Sequence, residues 1–474
     1  MMNRLQFHFV IAAAVVCALL PLSASAQAPA PTAAITTTAA VPANASVSAT
    51  VPATATAVAS TCASGGGAWV GSFGSGASCV DAAGWTSFGA AQKSLASDQV
   101  NDVEICGATP VVAHTFGISS RVQGRWRTDR LRATAGAAEA IDCDAQGNVW
   151  VAHYDGVSVF DGKSFRTIES RRLGSGSGAK IVQDIAAGPD GKIWVVTANS
   201  VARYDGASWK VWEQGAGFEK QEYFGRVAVD SRSAPWVTAI GGVYTFDDGK
   251  WWRIELPNIV TIENVAIDPQ DRVLVSTANQ GLFVYERESW TNYSRENSAI
   301  SSNHVHAAAV DARGRMWIAT EYGLDIVQGG EWLHLRAGNS GLRDDDVREL
   351  DVEGAGPDLP PPGAELTGTL SGRVTISGSA QADVTVELCV EYVGTSFRGA
   401  SPCADQPFSH SVMTDAAGRY RFEALPAGGY YVVFRAAGGG WVRLMEPDGF
   451  APERVRVAAG REAGDVNIDL AKAK

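Results

Sequence analysis

Beyond its first two dozen residues the chain has no apolar run near the ~20 residues that a membrane-spanning helix needs, so no membrane anchor is expected. Charge is sparse: Asp, Glu, Lys and Arg make up 19% of 474 residues. The balance is acidic, at −12, with no basic stripe, which excludes nucleic acid as a partner. Catalytic signatures are missing as well. There is no Gly-x-Ser-x-Gly elbow, no His-Glu-x-x-His pair and no phosphate loop, and the Gly-Ser run at 174–178 lacks the strand-to-helix context of one. No Cys-x-x-Cys occurs. No cofactor and no metal are therefore expected. What the chain does have is 51 glycines and 46% hydrophobic residues, enough for sizeable cores joined by many tight turns rather than long helices.

The N-terminus reads as a targeting segment. Arg4 supplies a small positive region, Val10 to Leu22 an apolar one, and Ala24-Ser25-Ala26 a small-residue cleavage site. Residues 1–26 are thus expected to be a signal peptide, and the protein secreted or periplasmic. Val16 before Cys17 departs from a lipidation box. Residues 27–60 are almost entirely Ala, Pro, Thr, Val and Ser, without charge or aromatics, and read as a disordered tether. Six cysteines follow Cys17, an even number for an oxidising compartment, which points to disulfides. Cys389 and Cys403 lie together near the C-terminus and are expected to pair. Cys62, Cys79, Cys106 and Cys143 leave three connectivities open.

The centre of the chain is repetitive. Aligned on one strand core, the copies fall at Trp69, Val111, Trp150, Trp194, Trp236, Leu274 and Trp317, spaced 38 to 44 residues apart. A second aromatic follows each anchor by 15 or 16 residues: Trp85, Trp126, Phe165, Trp209, Trp251, Trp290 and Trp332. A period of roughly 40–45 residues holding four short strands is the mark of a β-propeller, with the anchors as core between sheets. The first copy lacks a leading strand, whereas the last is followed by a surplus one, Val347 to Gly354. That strand is expected to complete the first blade and remove the bare edges of an open array. The fold expected is all-β: a seven-bladed propeller over 61–354 closed by a C-terminal strand, a Pro-rich linker at 355–366, and a small β-sandwich over 367–474.

The pattern D-x-x-G-x-x-W-[IV]-[AGV]-T, then Y/F-D-G-x-x-W, resembles the two-component regulator propeller repeat. DARGRMWIATEYGLDIV and GPDGKIWVVTANSVARYDGASW carry it most clearly, and the resemblance covers residues 66–354. In that family such propellers form the extracytoplasmic sensing part of histidine kinases. This chain shows no kinase or DNA-binding segment, so only the fold and a binding role are implied. Thr414 to Tyr430, TDAAGRYRFEALPAGGY, resembles the carboxypeptidase regulatory-like, prealbumin-type sandwich. No lysine lies between Leu366 and Ala471, so the Lys–Asn crosslink of related wall-protein modules is expected to be absent.

Leading strands line a propeller's channel, and their starts nominate one face. Three residues after the anchor the repeat carries Thr or Ser (Ser72, Thr197, Thr277, Thr320), but the second and third copies carry His114 and His153. The channel-mouth position runs Asp102, Glu139, Gln183, Gly225, Glu263, His306 and Arg348. His114 and His153 beside Asp102 and Glu139, with Glu263, His306 and Arg348, are the candidate ligand-binding residues; catalytic residues are not assigned. The expected function is that of an exported, non-catalytic binding or sensing protein, acting as a monomer, that recognises an extracellular glycan, peptide or protein. The alternatives are a lyase or hydrolase using channel-mouth histidines, since streptogramin lyases have a similar propeller, and a cell-envelope scaffold.

Overall fold

A computed structural model describes residue 62 and residues 67–472, apart from 73, 134, 170–172, 175–180, 216, 220–221, 259, 353, 360, 392–399, 405 and 447–450. The expected signal peptide and tether lie outside the described residues. Every named element is a β-strand. Seven four-stranded antiparallel sheets follow one another as blades, each strand hydrogen-bonded to the next in sequence. Blade 1 is the exception, because its innermost strand is Val347–Val352, which pairs with Ala68–Ser72 in the register Trp69 to Asp351 and Val70 to Leu350. The surplus strand at the end of the repeats therefore closes the ring. Among the described residues no helix is long and apolar enough to cross a membrane.

The repeat motif is explained by its hydrogen bonds. In blades 3, 5 and 7 an aspartate sits six residues before the anchor tryptophan. Its Oδ1 accepts two backbone N–H groups of the turn, and its Oδ2 accepts the indole Nε1–H: Asp144 with Trp150 at 2.9 Å, Asp311 with Trp317 at 3.0 Å, Asp230 with Trp236 at 3.4 Å. Blade 4 has Gly188 in that position, and blade 1 is split there; correspondingly, Trp194 Nε1 and Trp69 Nε1 are buried without a partner. The anchors fill the space between blades. Trp194, for example, stacks on Trp212 at 5.6 Å and meets Trp251 of blade 5 edge-on at 6.0 Å. The turn between second and third strands needs glycine: Gly281 has φ +76°, and a Cβ there would lie 2.0 Å from the Tyr293 carbonyl oxygen.

Three disulfides are formed. Cys62–Cys79 ties the start of the propeller to blade 1, Cys106–Cys143 joins the inner strands of blades 2 and 3, and Cys389–Cys403 lies in the C-terminal domain, as expected. Three disulfides suit an oxidising compartment.

Residues 367–472 form two sheets, one built on Thr367–Ile376 and Arg419–Pro426, the other on Thr385–Cys389, Ser409–Met413 and Gly428–Arg435. Leu370, Val386, Leu388, Phe422, Val432 and Phe434 form the core between them. The sandwich is not held at a distance. Residues 355–366, read from their prolines as a stiff spacer, bond back to the propeller: Gly363 N–H to Asn339 O and Leu366 N–H to Gly338 O, both 2.7 Å, with Arg336 paired to Glu365. Tyr322 of blade 7 is part of the sandwich core itself.

Candidate functional site at the channel mouth

Inner strands begin on one face of the ring, here called the upper face. Antiparallel order then puts the turns between second and third strands, and the loops leading into each blade, on that same face. The sandwich rests there over blades 7 and 1. Arg454 pairs with Asp344 at 2.5 Å, Arg456 pairs with Asp344 and Ser75, and Glu391 accepts from Ser302.

The inner strands carry a shared irregularity. In blades 1, 2, 3, 4, 6 and 7 the pairing register shifts after the first residue, at Val347/Glu349, Val100/Asp102, Ala138/Ala140, Val182/Asp184, Ile262/Asn264 and Val305/Ala307. The bulged residue is the one at the mouth: Arg348, Asn101, Glu139, Gln183, Glu263 and His306. Asp102 lies one residue deeper, a correction to its expected place. The bulge adds a residue that alternation alone does not count.

In the channel Asp102 serves the ring. Neighbouring inner strands belong to different sheets, so their inward N–H groups need partners. Carboxylates provide them. Asp102 takes Val103 N–H and, across the blade boundary, Ile141 N–H at 2.8 Å. Asp142 reaches Ala187, Asp184 reaches Val227, and Asp351 reaches Ile105, each at 2.7–2.8 Å. Burial pushes the Asp102 and Asp142 carboxyls up to about 7 and that of Asp351 to about 6, against those hydrogen bonds. Arg226 enters the same cavity, about 280 Å³, opposite Asp184, Glu349 and Asp102.

His114 and His153 do not face the channel. Both are fully buried within their own blades. His153 Nδ1 accepts Asp155 N–H at 3.2 Å, which leaves Nε2–H to donate to Ser158 Oγ at 2.9 Å; Ser158 in turn bonds Thr167 at 2.8 Å. His114 repeats this with Phe116, Ser119 and Thr128. Thr320 does the same local job elsewhere, accepting Tyr322 N–H and donating to Gly323 O. Burial, then Arg130 or Arg132, lowers both histidines to about 4, so they are neutral. With both ring nitrogens engaged they are structural, and the expected site between blades 2 and 3 is not formed by them. Glu139 is exposed at the mouth of blade 3.

The other three candidates do converge, beside the sandwich. Glu263 and His306 are the bulged residues of blades 6 and 7, and Arg348 is the second residue of the closing strand. His306 Nε2 lies 3.2 Å from Asp346 Oδ1, and Arg348 donates to both Asp346 oxygens. His304, which the repeat alignment passes over because it precedes the strand, stands 4.3 Å from the His306 ring, bonds Glu321 at 2.8 Å and lies 3.7 Å from Glu263. Burial opposes a charge on His304, but the carboxylates of Glu263, nearby, and of Glu321, which accepts its Nδ1–H, outweigh it and hold its pKa up to about 10. Burial lowers His306, with His304 adding to the effect. Asp346 is held well below the usual carboxylate range, its burial outweighed by Arg348 and His306. The sequence signal for His304 was its alternation with His306 at the start of a strand.

Among the described residues, none of the sandwich covers the upper face over blades 2 to 5. Seven large apolar side chains are exposed on the described propeller, and five of them stand on this sector: Phe116, Tyr154, Ile181, Tyr223 and Ile240, at 43% to 61% exposure. Tyr154 and Phe116 sit in the turns directly after the two structural histidines, which hold those turns through their backbone N–H bonds.

A family model for the two-component regulator propeller matches residues 299–322, the strand pair of blade 7 that carries Asp311 and Trp317. The chain is a β-propeller. Among solved structures it is similar to virginiamycin B lyase from Staphylococcus aureus (13% identity, 54% of this chain and 89% of that one, TM-score 0.45). It is also similar to YCF48 bound to D1 peptide (12%, 53% and 84%, 0.41). A third is PorZ, a surface component of the type-IX secretion system of Porphyromonas gingivalis (14%, 81% and 62%, 0.40). No curated protein matches the chain in sequence. A propeller with this repeat fits a binding or sensing protein.

Proposed function

We propose that the chain is an exported, non-catalytic recognition protein that docks a polypeptide partner on the upper face of blades 2 to 5. The observation that carries this is the placement of Phe116, Tyr154, Ile181, Tyr223 and Ile240. They are exposed together on the sector that the described residues of the sandwich do not cover. Exposed apolar side chains gathered on one face mark interaction surfaces, and tyrosines anchor them well because they bury much area at little entropic cost. Four consecutive blades of a seven-bladed ring make a wide platform, better matched to a polypeptide than to a small molecule. Export follows from the signal-peptide reading of residues 1–26 and agrees with the disulfides. We also take residues 367–474 to be a carboxypeptidase regulatory-like module, on the strength of the Thr414–Tyr430 motif. A lyase or hydrolase built on His114 and His153 is disfavoured, since neither presents a free ring nitrogen.

The test is a peptide and glycan array probed with the full chain, repeated with Tyr154→Ser and Tyr223→Ser combined. Binding to a peptide or protein hit should fall at least ~10-fold, the effect of losing ~1.4 kcal/mol, with the melting temperature unchanged. Unchanged binding would remove the platform from the reading. A glycan-only hit would change the partner class, and no hit at all would favour the envelope scaffold.

A further inference from the structure

The two imidazoles at the channel mouth carry a donor set that hydrogen bonding does not use up. His304 Nδ1 is engaged by Glu321 Oε2 at 2.8 Å, so the outward nitrogen is Nε2. That atom is buried without a hydrogen bond and lies 3.7 Å from Glu263 Oε1. His306 Nε2 lies 3.2 Å from Asp346 Oδ1 but is likewise buried without an aligned hydrogen bond, so that carboxylate stands beside the cluster as a neighbour of the ring. One donor atom from each of Glu263, His304 and His306 lies within 4.8 Å of the other two. Direct hydrogen bonds would draw such atoms to about 2.7–3.2 Å. Three ligands around one zinc-sized ion, each at about 2.0–2.2 Å from it, stand about 3.3–3.6 Å apart, close to the 3.7 Å between Glu263 Oε1 and His304 Nε2.

From this geometry we infer that Glu263, His304 and His306 bind one divalent first-row transition ion, with zinc the first choice. Two imidazoles and a carboxylate suit such an ion; the all-oxygen sets of calcium and magnesium are different. Glu321 is a positioning residue. Its side chain is almost fully buried, and it fixes the ring and tautomer of His304 as a carboxylate does behind a metal-bound histidine. The carboxylates of Glu263 and Glu321 favour positive charge at this spot, which a dication supplies. Three protein ligands leave a fourth position for water on the channel side. The ion would join blades 6 and 7 next to the Ser302–Glu391 contact with the sandwich. This inference stands apart from the polypeptide platform on blades 2 to 5.

The experiment uses the full chain, stripped with a chelator and dialysed, and titrated by calorimetry with zinc chloride and with cobalt chloride followed by visible absorption. One equivalent should bind, the cobalt spectrum should show nitrogen ligation, and zinc should raise the melting temperature. Glu321→Gln should weaken zinc about 10–100-fold. His306→Gln should abolish the one-equivalent isotherm and the thermal shift, while His410→Gln, at an exposed position on the sandwich, should leave both intact. Should His306→Gln fail to fold, Glu263→Gln at the half-exposed mouth makes the same test. Absence of a saturable equivalent in the parent chain, or parent-like zinc affinity in a folded His306→Gln or Glu263→Gln, would overturn the site.

Discussion

A single nitrogen decides what His153 is for. Its Nδ1 takes a backbone N–H two residues on, so the ring belongs to its own turn before any ligand can approach. Replacing it with alanine leaves a cavity beside the buried Ser158, strands the half-buried Asp155 N–H and weakens the Ser158–Thr167 pair, at a cost of about 2–4 kcal/mol. Its pKa, about 4, lies below the unfolded value of 6.5, so its contribution is present above pH 6.5 and lost as pH falls toward 4. Asp142 has the opposite sign. With a pKa raised from 3.8 to about 7, its contribution is full below pH 3.8 and lost as pH rises through 7. Urea unfolding from pH 4 to 8 should therefore show the acid limb flattened in His153→Ala and the alkaline limb flattened in Asp142→Asn. Parallel curves for parent and variants would refute both assignments. The sequence did hold a clue: His-x4-Ser-x8-Thr occurs at 114, 119, 128 and again at 153, 158, 167. Burial could not be read from it, because that depends on which partners the neighbouring strands bring. The misplacement of Asp102 has a similar origin, since bulges are set by the backbone and leave no residue signature here.

The strand Val347–Val352 was legible for a different reason. A repeat that lacks its first strand and a chain that ends its repeats with a spare one have a single economical arrangement, and pairing with Ala68–Ser72 realises it. A chain ending at Gly341 should leave blade 1 with a bare edge and aggregate, while a chain ending at Leu366 keeps the strand and should remain a soluble, cooperatively unfolding ring. Both lack the sandwich, so the difference isolates the strand; equal melting temperatures would deny it a closing role. The Pro-rich segment at 355–366 was less legible. Proline predicts stiffness, but not that Gly363 and Leu366 would find carbonyl partners on the loop at 338–339.

Across the molecule the sandwich straddles the seam where the ring closes. Asp344 stands at its centre, bonded to Arg454 and Arg456 from the sandwich and to Ser75 of blade 1. Asp344→Ala leaves Arg454 as a largely buried charge without its main partner, a loss of about 3 kcal/mol. The outcome expected is faster cleavage within 355–366 under limited proteolysis and a separate, earlier unfolding transition for the sandwich; an unchanged single transition would speak against the seam contact. Nothing in the chain announces this, for Asp344-Asp345-Asp346 looks like a solvated turn until its cationic partners, over a hundred residues away, are placed. The disulfide pattern carries a last consequence. Cys62 bonds Cys79, Cys106 bonds Cys143, and Cys389 bonds Cys403, so from Cys62 onward each cysteine is joined to the next one in order. An oxidant that links thiols in the order in which they emerge from a translocation pore reaches the native set directly. A chain with this pattern matures in an oxidising compartment without reshuffling and has little need of an isomerase.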